Sequence, residues 1–406
     1  MDKNLIKQSI FGVFDQLFSS LLVSGINIYF ARKLFINEIG IFALVFASFG
    51  FAQVIQQAIL ERPFLIKKNI FYFKTIVFRI ALVMGVLFLT ILFFYFSETN
   101  SLPNVSLNPL FIFPWVFLGV VQLLFNLMRV YFYAISKEKF AFYMSFSSTL
   151  IIFIIFLIGQ DYIEKRITIF MFLITFVKIL ILLYFSSYFL PIDKDQLTED
   201  SSKSQYLNLI FISLSIFLKG RFIVFYLANF AFTLTGIYEI LRNILEIVLM
   251  PFRPISQTLL NKFSTERQKN IKIYFKFLFI FSAIGVFVGI IFYYSLDILY
   301  GLYKISSISS PKVNFYLTGF VIISILLIPI NANLLAYKLF LDELIVKSVP
   351  VLYLIITIFI SSEIHDMEFF LRIIYISTGI EFILAISLLI YRKAKLSKKI
   401  NVIKYK

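Results

Sequence analysis

The chain has no cysteine, which excludes disulfides, thiolate metal ligands and a cysteine nucleophile. Its single histidine, His365, can build neither a multi-histidine metal centre nor a histidine-based triad. No G-x-x-x-x-G-K-[ST] stretch occurs, so the chain has no phosphate-cradling loop with which to power itself by ATP. Charge is also scarce. Asp, Glu, Lys and Arg make up 15% of the residues, against roughly 25% in a soluble domain. What fills the chain instead is apolar: 60% hydrophobic residues, with 53 Phe and 23 Tyr, and a mean hydropathy of +0.93. A water-soluble globule of 406 residues cannot hide that much apolar surface, so a soluble enzyme is excluded.

A membrane crossing takes about 20 apolar residues. Runs bounded by charge, Pro or Gly predict spans over 10–31, 36–60, 76–97, 109–133, 140–159, 168–190, 206–229, 233–257, 277–296, 314–339, 344–362 and 369–391. They are helices, because an open strand edge in lipid leaves backbone groups unpaired. The run after the polar segment Met1 to Gln8 is too long for a signal-peptide core and has no small-residue cleavage site, so it reads as the first span. The spans 206–229 and 233–257 carry several charges and are the weakest by hydropathy. The fold class expected is all-α integral membrane, with about 12 transmembrane helices in two six-helix bundles around a central polar cavity.

The formal net charge is +16. In a soluble protein that would suggest nucleic acid. Here basic residues belong to cytoplasmic loops, where they resist translocation and meet anionic lipid, and no nucleic-acid partner is expected. With the N-terminus inside, 25 basic residues fall on inner segments and 6 on outer ones. Lys137, Lys139 and Lys347 count among the inner set. This predicts a multi-pass chain with both termini cytoplasmic. Pro191 to Lys203 is polar and contains Pro and Ser. The expected organisation is an N-terminal six-helix bundle over 1–190, a linker over 191–205, a C-terminal six-helix bundle over 206–391 and a basic tail over 392–406. Two halves of six spans enter the membrane with the same orientation, so any repeat relates them by an axis along the membrane normal. Gly40-Ile41-Phe42 and Gly236-Ile237-Tyr238, which open the second and eighth spans, are a faint echo of one.

Polar residues gather on helix faces inside the spans. Gln122, Asn126, Arg129 and Tyr133 share one face of span 4, and Glu239, Arg242, Asn243 and Glu246 share one face of span 8, with Arg253 continuing it. Span 1 carries Asp15, span 2 carries Gln53, Gln57 and Arg62, span 7 carries Lys219 and Arg221, and span 12 carries Glu381. A charge at mid-bilayer costs roughly 2.5–3.5 kcal/mol on insertion scales. Two readings meet that cost. One is static ion pairing between helices, such as Glu239 with Arg242. The other is a water-filled cavity, slightly positive in balance, which suits an anionic substrate. Gly285 and Gly289 form G-x-x-x-G and predict a close helix contact. Asp193-Lys194-Asp195 matches the D-x-D of some glycosyltransferases, but it sits on a short linker with no nucleotide-binding domain and reads as linker charge.

The first two spans read Phe14-Asp15-Gln16-Leu17, then Ala31-Arg32-Lys33-Leu34, then Glu38-Ile39-Gly40-Ile41-Phe42-Ala43, then Leu60-Glu61-Arg62-Pro63. This order resembles the N-terminal region of Wzx-type polysaccharide and O-antigen flippases, members of the multidrug/oligosaccharidyl-lipid/polysaccharide exporter superfamily. Gly236-Ile237-Tyr238 followed by Arg242 resembles that family's eighth span. The resemblance implies two six-helix bundles around a cationic cavity in a bacterial inner membrane. It implies a substrate, an undecaprenyl-pyrophosphate-linked glycan flipped for O-antigen or capsule synthesis. It also implies membrane lipid, a glycan polymerase and a chain-length regulator as partners. No cofactor is implied beyond H+ or Na+ as a coupling ion. In these terms Arg62, Arg129, Arg221, Arg242, Lys219 and Arg253 would hold the pyrophosphate, and Gln53, Gln57, Gln122, Asn126 and Asn243 the sugar. Asp15, Glu239, Glu246 and Glu381 would be the ion- or proton-coupling carboxylates. Two alternatives stand beside it. One is a membrane-embedded glycan polymerase or ligase, which would need a larger outer loop than Ser97 to Asn108 or Asp297 to Val313 supplies. The other is a drug/cation antiporter of the same superfamily, which an acidic cavity would favour.

Overall fold

The computed structural model describes scattered helical positions between 11 and 56, and residues 109–134, 137–163, 167–188, 203–228, 232–252 with 255 and 259, 271–336, 340–361 and 366–404. The described residues are helical almost throughout. In chain order the elements are α1 (Pro109–Ala134), α2 (Glu138–Ile163), α3 (Ile167–Ser186), α4 (Lys203–Ala228), α5 (Phe232–Leu249), α6 (Ile271–Tyr303), α7 (Pro311–Ala336), α8 (Phe340–Ile360) and α9 (Met367–Lys404). Each falls on a span expected from the apolar runs. The expected spans 10–31 and 36–60 lie mostly, and 76–97 wholly, outside the described residues.

Among the described residues six stretches are long and apolar enough to cross a membrane: Glu138–Leu157, Ile210–Ala228, Phe277–Tyr303, Pro311–Leu334, Leu341–Ile360 and Met367–Tyr391. Shorter apolar helices cover Phe117–Tyr133 and Phe172–Ser186. The doubt over 206–229 is corrected, because Ile210–Ala228 has a mean hydropathy of 1.8. Its charges, Lys219 and Arg221, are outweighed by the Ile, Leu and Phe around them. The placement of Lys347 on an inner segment is corrected too. It sits within α8, nearly two turns into the apolar stretch that begins at Leu341. α9 runs on to Lys404, so the basic tail continues as helix.

The surface, not only the interior, is apolar. On α6, Phe279 and Tyr294 are 76% and 78% exposed, and Phe287, Ile290, Ile291 and Ile298 share their exposure. On α3, Phe176, Leu183 and Tyr184 are exposed, while the charged Lys178 is buried. An outer surface this apolar is solvated by lipid.

The chain divides into two compact units, 1–217 with 224–239, and 218–223 with 240–406. In the first, α1, α2 and α3 pack on one another. Aromatic rings knit them, with Phe132 of α1 stacked on Phe140 of α2 at 5.4 Å between centroids. Phe18, from the helical positions ahead of α1, meets Phe146 of α2 edge-on at 5.0 Å. In the second unit, α6 packs on α7, and α7, α8 and α9 pack together. Leu327, Ile330, Leu334, Val346 and Ala385 form a buried cluster where α7, α8 and α9 meet.

The α6–α7 connection shows how the sequence ends one helix and starts the next. Lys304 takes a left-handed φ of 57°, and the Ile305 amide donates back to the Tyr300 carbonyl at 3.0 Å, satisfying an end carbonyl of α6. Pro311 then opens α7 with its fixed φ, and the Ser310 hydroxyl accepts from the Val313 amide at 3.2 Å as the cap. Asp366 caps α9 in the same way, accepting from the Phe369 amide at 2.9 Å. The expected role of Gly285 and Gly289 holds. A Cβ on Gly289 would sit 2.6 Å from Ile322 Cγ1, and one on Gly285 would sit 3.4 Å from the Ile322 carbonyl oxygen. These glycines let α6 close on α7.

Candidate functional site

In the first unit, the polar face of α1 closes on Asp15, whose side chain is wholly buried. Arg129 Nη2 donates to Asp15 Oδ2 at 2.5 Å, and Nε donates at 3.1 Å to Oδ1 and 3.2 Å to Oδ2. Tyr133, one turn on, donates its hydroxyl to Asp15 Oδ2 at 2.5 Å. The periodic spacing of Arg129 and Tyr133 puts both donors on one carboxylate, and the forked guanidinium spans its two oxygens. Lys178 reaches the same helix from α3. Its ammonium lies 4.4 Å from the centroid of the Phe125 ring, one turn before Arg129, and pairs with no carboxylate among the described residues. The ring's negative face partly replaces the water that it has lost.

The rest of that face is tied up internally. Gln122 donates to Asn126 at 2.9 Å, and Gln56, from the described helical residues 50–56, donates to the Leu123 carbonyl at 3.0 Å. Gln53 is half-buried on the same stretch.

In the second unit, Glu381 of α9 is held by two lysines. Lys219 of α4 donates to Oε2 at 2.6 Å, and Lys347 of α8 donates to Oε1. Each carboxylate oxygen thus takes its own ammonium, and all three side chains are largely removed from solvent. Val346 and Ala385 of the apolar cluster flank this triad in sequence, so it sits at a packed helix junction. Arg242 and Glu246 of α5 pair at 2.5 Å within the helix. Glu246 is 36% exposed, so this pair adds little. Glu239 is buried, while Asn243 and Arg221 are half-buried. Arg62, Gln57 and Arg253 lie outside the described residues.

The structure therefore pairs residues that the sequence had assigned to separate roles. Asp15 meets Arg129, Glu381 meets Lys219, and Glu246 meets Arg242. Two participants were not singled out as site residues. Lys347 fell inside the expected span 344–362 but was counted with the inner segments. Lys178 is the one charge in an apolar run, with Thr175 its nearest polar neighbour at helical spacing. The first had a signal in its position within a span. The second had only its depth. No group of three or more His, Asp or Glu side chains that could hold a metal occurs among the described residues.

Helices with lipid-facing apolar flanks and charges buried between them define a polytopic all-α membrane protein. No protein-family profile matches the chain, and no curated protein does. Solved structures do. A crystal structure of MATE in the bent conformation aligns with 98% of this chain and 95% of its own length, at 13% identity and a TM-score of 0.62. A ligand-bound structure of the MATE multidrug transporter DinF-BH aligns over 97% and 96%, at 14% identity and a TM-score of 0.54. MATE in complex with MaL6 aligns over 98% and 96%, at 13% identity and a TM-score of 0.54. At such identities the likeness is one of fold. This chain has the fold of MATE transporters.

Proposed function

We propose that the chain is a transporter, not an enzyme, of the multidrug/oligosaccharidyl-lipid/polysaccharide exporter superfamily. It works as an ion-coupled, antiporter-type exporter of amphipathic organic molecules by alternating access. The observation that carries this reading is the buried Asp15–Arg129–Tyr133 cluster in a chain with a MATE-type fold. Asp15 is held by one guanidinium and one neutral phenol. A proton or sodium ion arriving there competes with Arg129 for the carboxylate, so its binding changes which contacts hold α1. A ligand shifts a conformational equilibrium only through such a difference between states. Glu381 is less suited to this role, because displacing one ammonium leaves the other in place.

A second reading, flipping of an undecaprenyl-pyrophosphate-linked glycan, is favoured by the surplus of buried cations. Arg129 and Lys178 accompany Asp15, and Lys219 and Lys347 accompany Glu381. Positive surplus suits phosphate better than a cationic drug. Under both readings the chain lies in a bacterial inner membrane, and the charge asymmetry supports cytoplasmic termini.

The test uses purified protein in proteoliposomes. One arm imposes a proton or sodium gradient and follows fluorescent amphipathic dyes. The other follows the lipid-linked glycan between leaflets with a membrane-impermeant probe. Dye accumulation that collapses with the gradient supports the antiporter. Glycan transfer without dye transport replaces it with the flippase, whose pyrophosphate contacts would in turn fail if Arg129→Ala and Arg242→Ala flipped at the wild-type rate. Movement of neither overturns the transporter reading.

A further inference from the structure

We propose that the outer groove between α2 and α3 is a binding site for an anionic phospholipid of the surrounding bilayer, its phosphate on Lys137 and Lys139 and one acyl chain laid along the groove. The groove has a volume of about 530 Å³, and its walls include Phe140, Tyr143 and Ile151 of α2 and Val177, Ile181 and Tyr184 of α3. It is independent of the buried charge clusters.

Three observations fix the occupant. The first is charge. The ammoniums of Lys137 and Lys139 lie 5.7 Å and 5.3 Å from the ring centroids of Phe140 and Tyr143, so both stand at the groove's rim. Glu138 lies between them in sequence, but it occupies the first turn of α2, where the helix dipole already accommodates a carboxylate. The second is the set of donors at the same end. The Tyr184 and Tyr188 hydroxyls lie 3.4 Å apart, and Phe140 meets Tyr188 at 5.1 Å, so aromatic rings and hydroxyls form the platform typical of the membrane–water interface. The third is depth. From Phe140 to Ile151 the helix rises about 16 Å, close to half the roughly 30 Å hydrocarbon thickness. That is the reach of an acyl chain in one leaflet. The flanking residues Phe146, Leu150 and Phe153 of α2, and Phe176 and Leu183 of α3, are exposed. Whatever enters the groove therefore comes from the membrane. The charge asymmetry of the sequence predicts that this end faces the cytoplasmic leaflet, where anionic lipid attracts basic residues.

The full-length protein, purified in a mild detergent, is titrated with phosphatidylglycerol or phosphatidylcholine and read by native mass spectrometry. One phosphatidylglycerol per chain is expected to survive where phosphatidylcholine is stripped. Lys137→Gln/Lys139→Gln should weaken that binding about thirtyfold, as expected for two basic residues near an anionic headgroup. Ile181→Trp, which fills the groove without changing charge, should remove it. Lys312→Gln, an exposed lysine elsewhere, should leave it unchanged and controls for net charge. Melting in the same detergent separates loss of the site from loss of the fold. Equal retention of the two lipids overturns the proposal. So does undiminished binding in the folded double variant, or a protein dimer that Ile181→Trp breaks.

Discussion

Asp15 in the first unit and Glu381 in the second are both buried carboxylates held by cations from other helices, but they are held differently. Asp15 takes one guanidinium and one phenol, so the contact set is formally neutral. Glu381 takes two ammoniums, one on each oxygen, so it carries one positive charge in surplus. A neutral set with one exchangeable cation can be opened by a competing ion. A doubly clamped carboxylate resists opening, and it ties α4, α8 and α9 through a single side chain. Buried charge is thus held in two ways in one chain, by a neutral contact set that a competing ion can enter and by a double clamp.

The largest effect follows from removing the clamp. Glu381→Gln strands two buried ammoniums, where breaking one buried pair already costs about 3–5 kcal/mol. It should lower the melting temperature in detergent more than any other change discussed. Asp15→Asn strands one guanidinium and keeps an acceptor for Tyr133, so its cost should be near 3 kcal/mol, the low end of about 3–5 kcal/mol. If Asp15→Asn proved the more destabilising of the two, the comparison would be reversed.

Lys219→Met or Lys347→Met each leaves Glu381 a matching cation. Either change alone should cost about 1.5–3 kcal/mol, the value of one hydrogen bond to a charged group. The double change should exceed the sum, because the carboxylate is then unpaired. A merely additive pair would mean that the two lysines do not share Glu381. Tyr133→Phe removes a neutral donor only and should cost about 0.5–1.5 kcal/mol. Unfolding followed by tryptophan fluorescence or size-exclusion of the heated protein checks each.

Much of the fold was legible because a membrane span announces itself. Twenty-odd apolar residues in a row have no soluble alternative, and α1 to α9 fall on the expected runs. Ends were less visible. α6 reaches Tyr303 rather than residue 296, because Leu296, Tyr300 and Tyr303 bury against neighbours that apolarity along one chain does not reveal. The polar face of α1 was legible from the spacing of Gln122, Asn126, Arg129 and Tyr133. Its partner was not, since Asp15 lies 114 residues away from Arg129. Lys178 shows the same limit from the other side. A lysine in the middle of an apolar run calls for a partner, but its spacing did not show that the partner is the Phe125 ring.

If Asp15 couples transport to an ion and Glu381 does not, the two carboxylates separate in function as they do in geometry. The most direct test compares two transport modes in proteoliposomes holding equal amounts of folded protein. Gradient-driven accumulation needs coupling, whereas substrate exchange across the membrane without a gradient needs only the alternating cycle. Asp15→Asn is predicted to lose accumulation and keep exchange, while Lys347→Met, which leaves Glu381 paired to Lys219, keeps both. Accumulation at the wild-type level in Asp15→Asn would contradict the account.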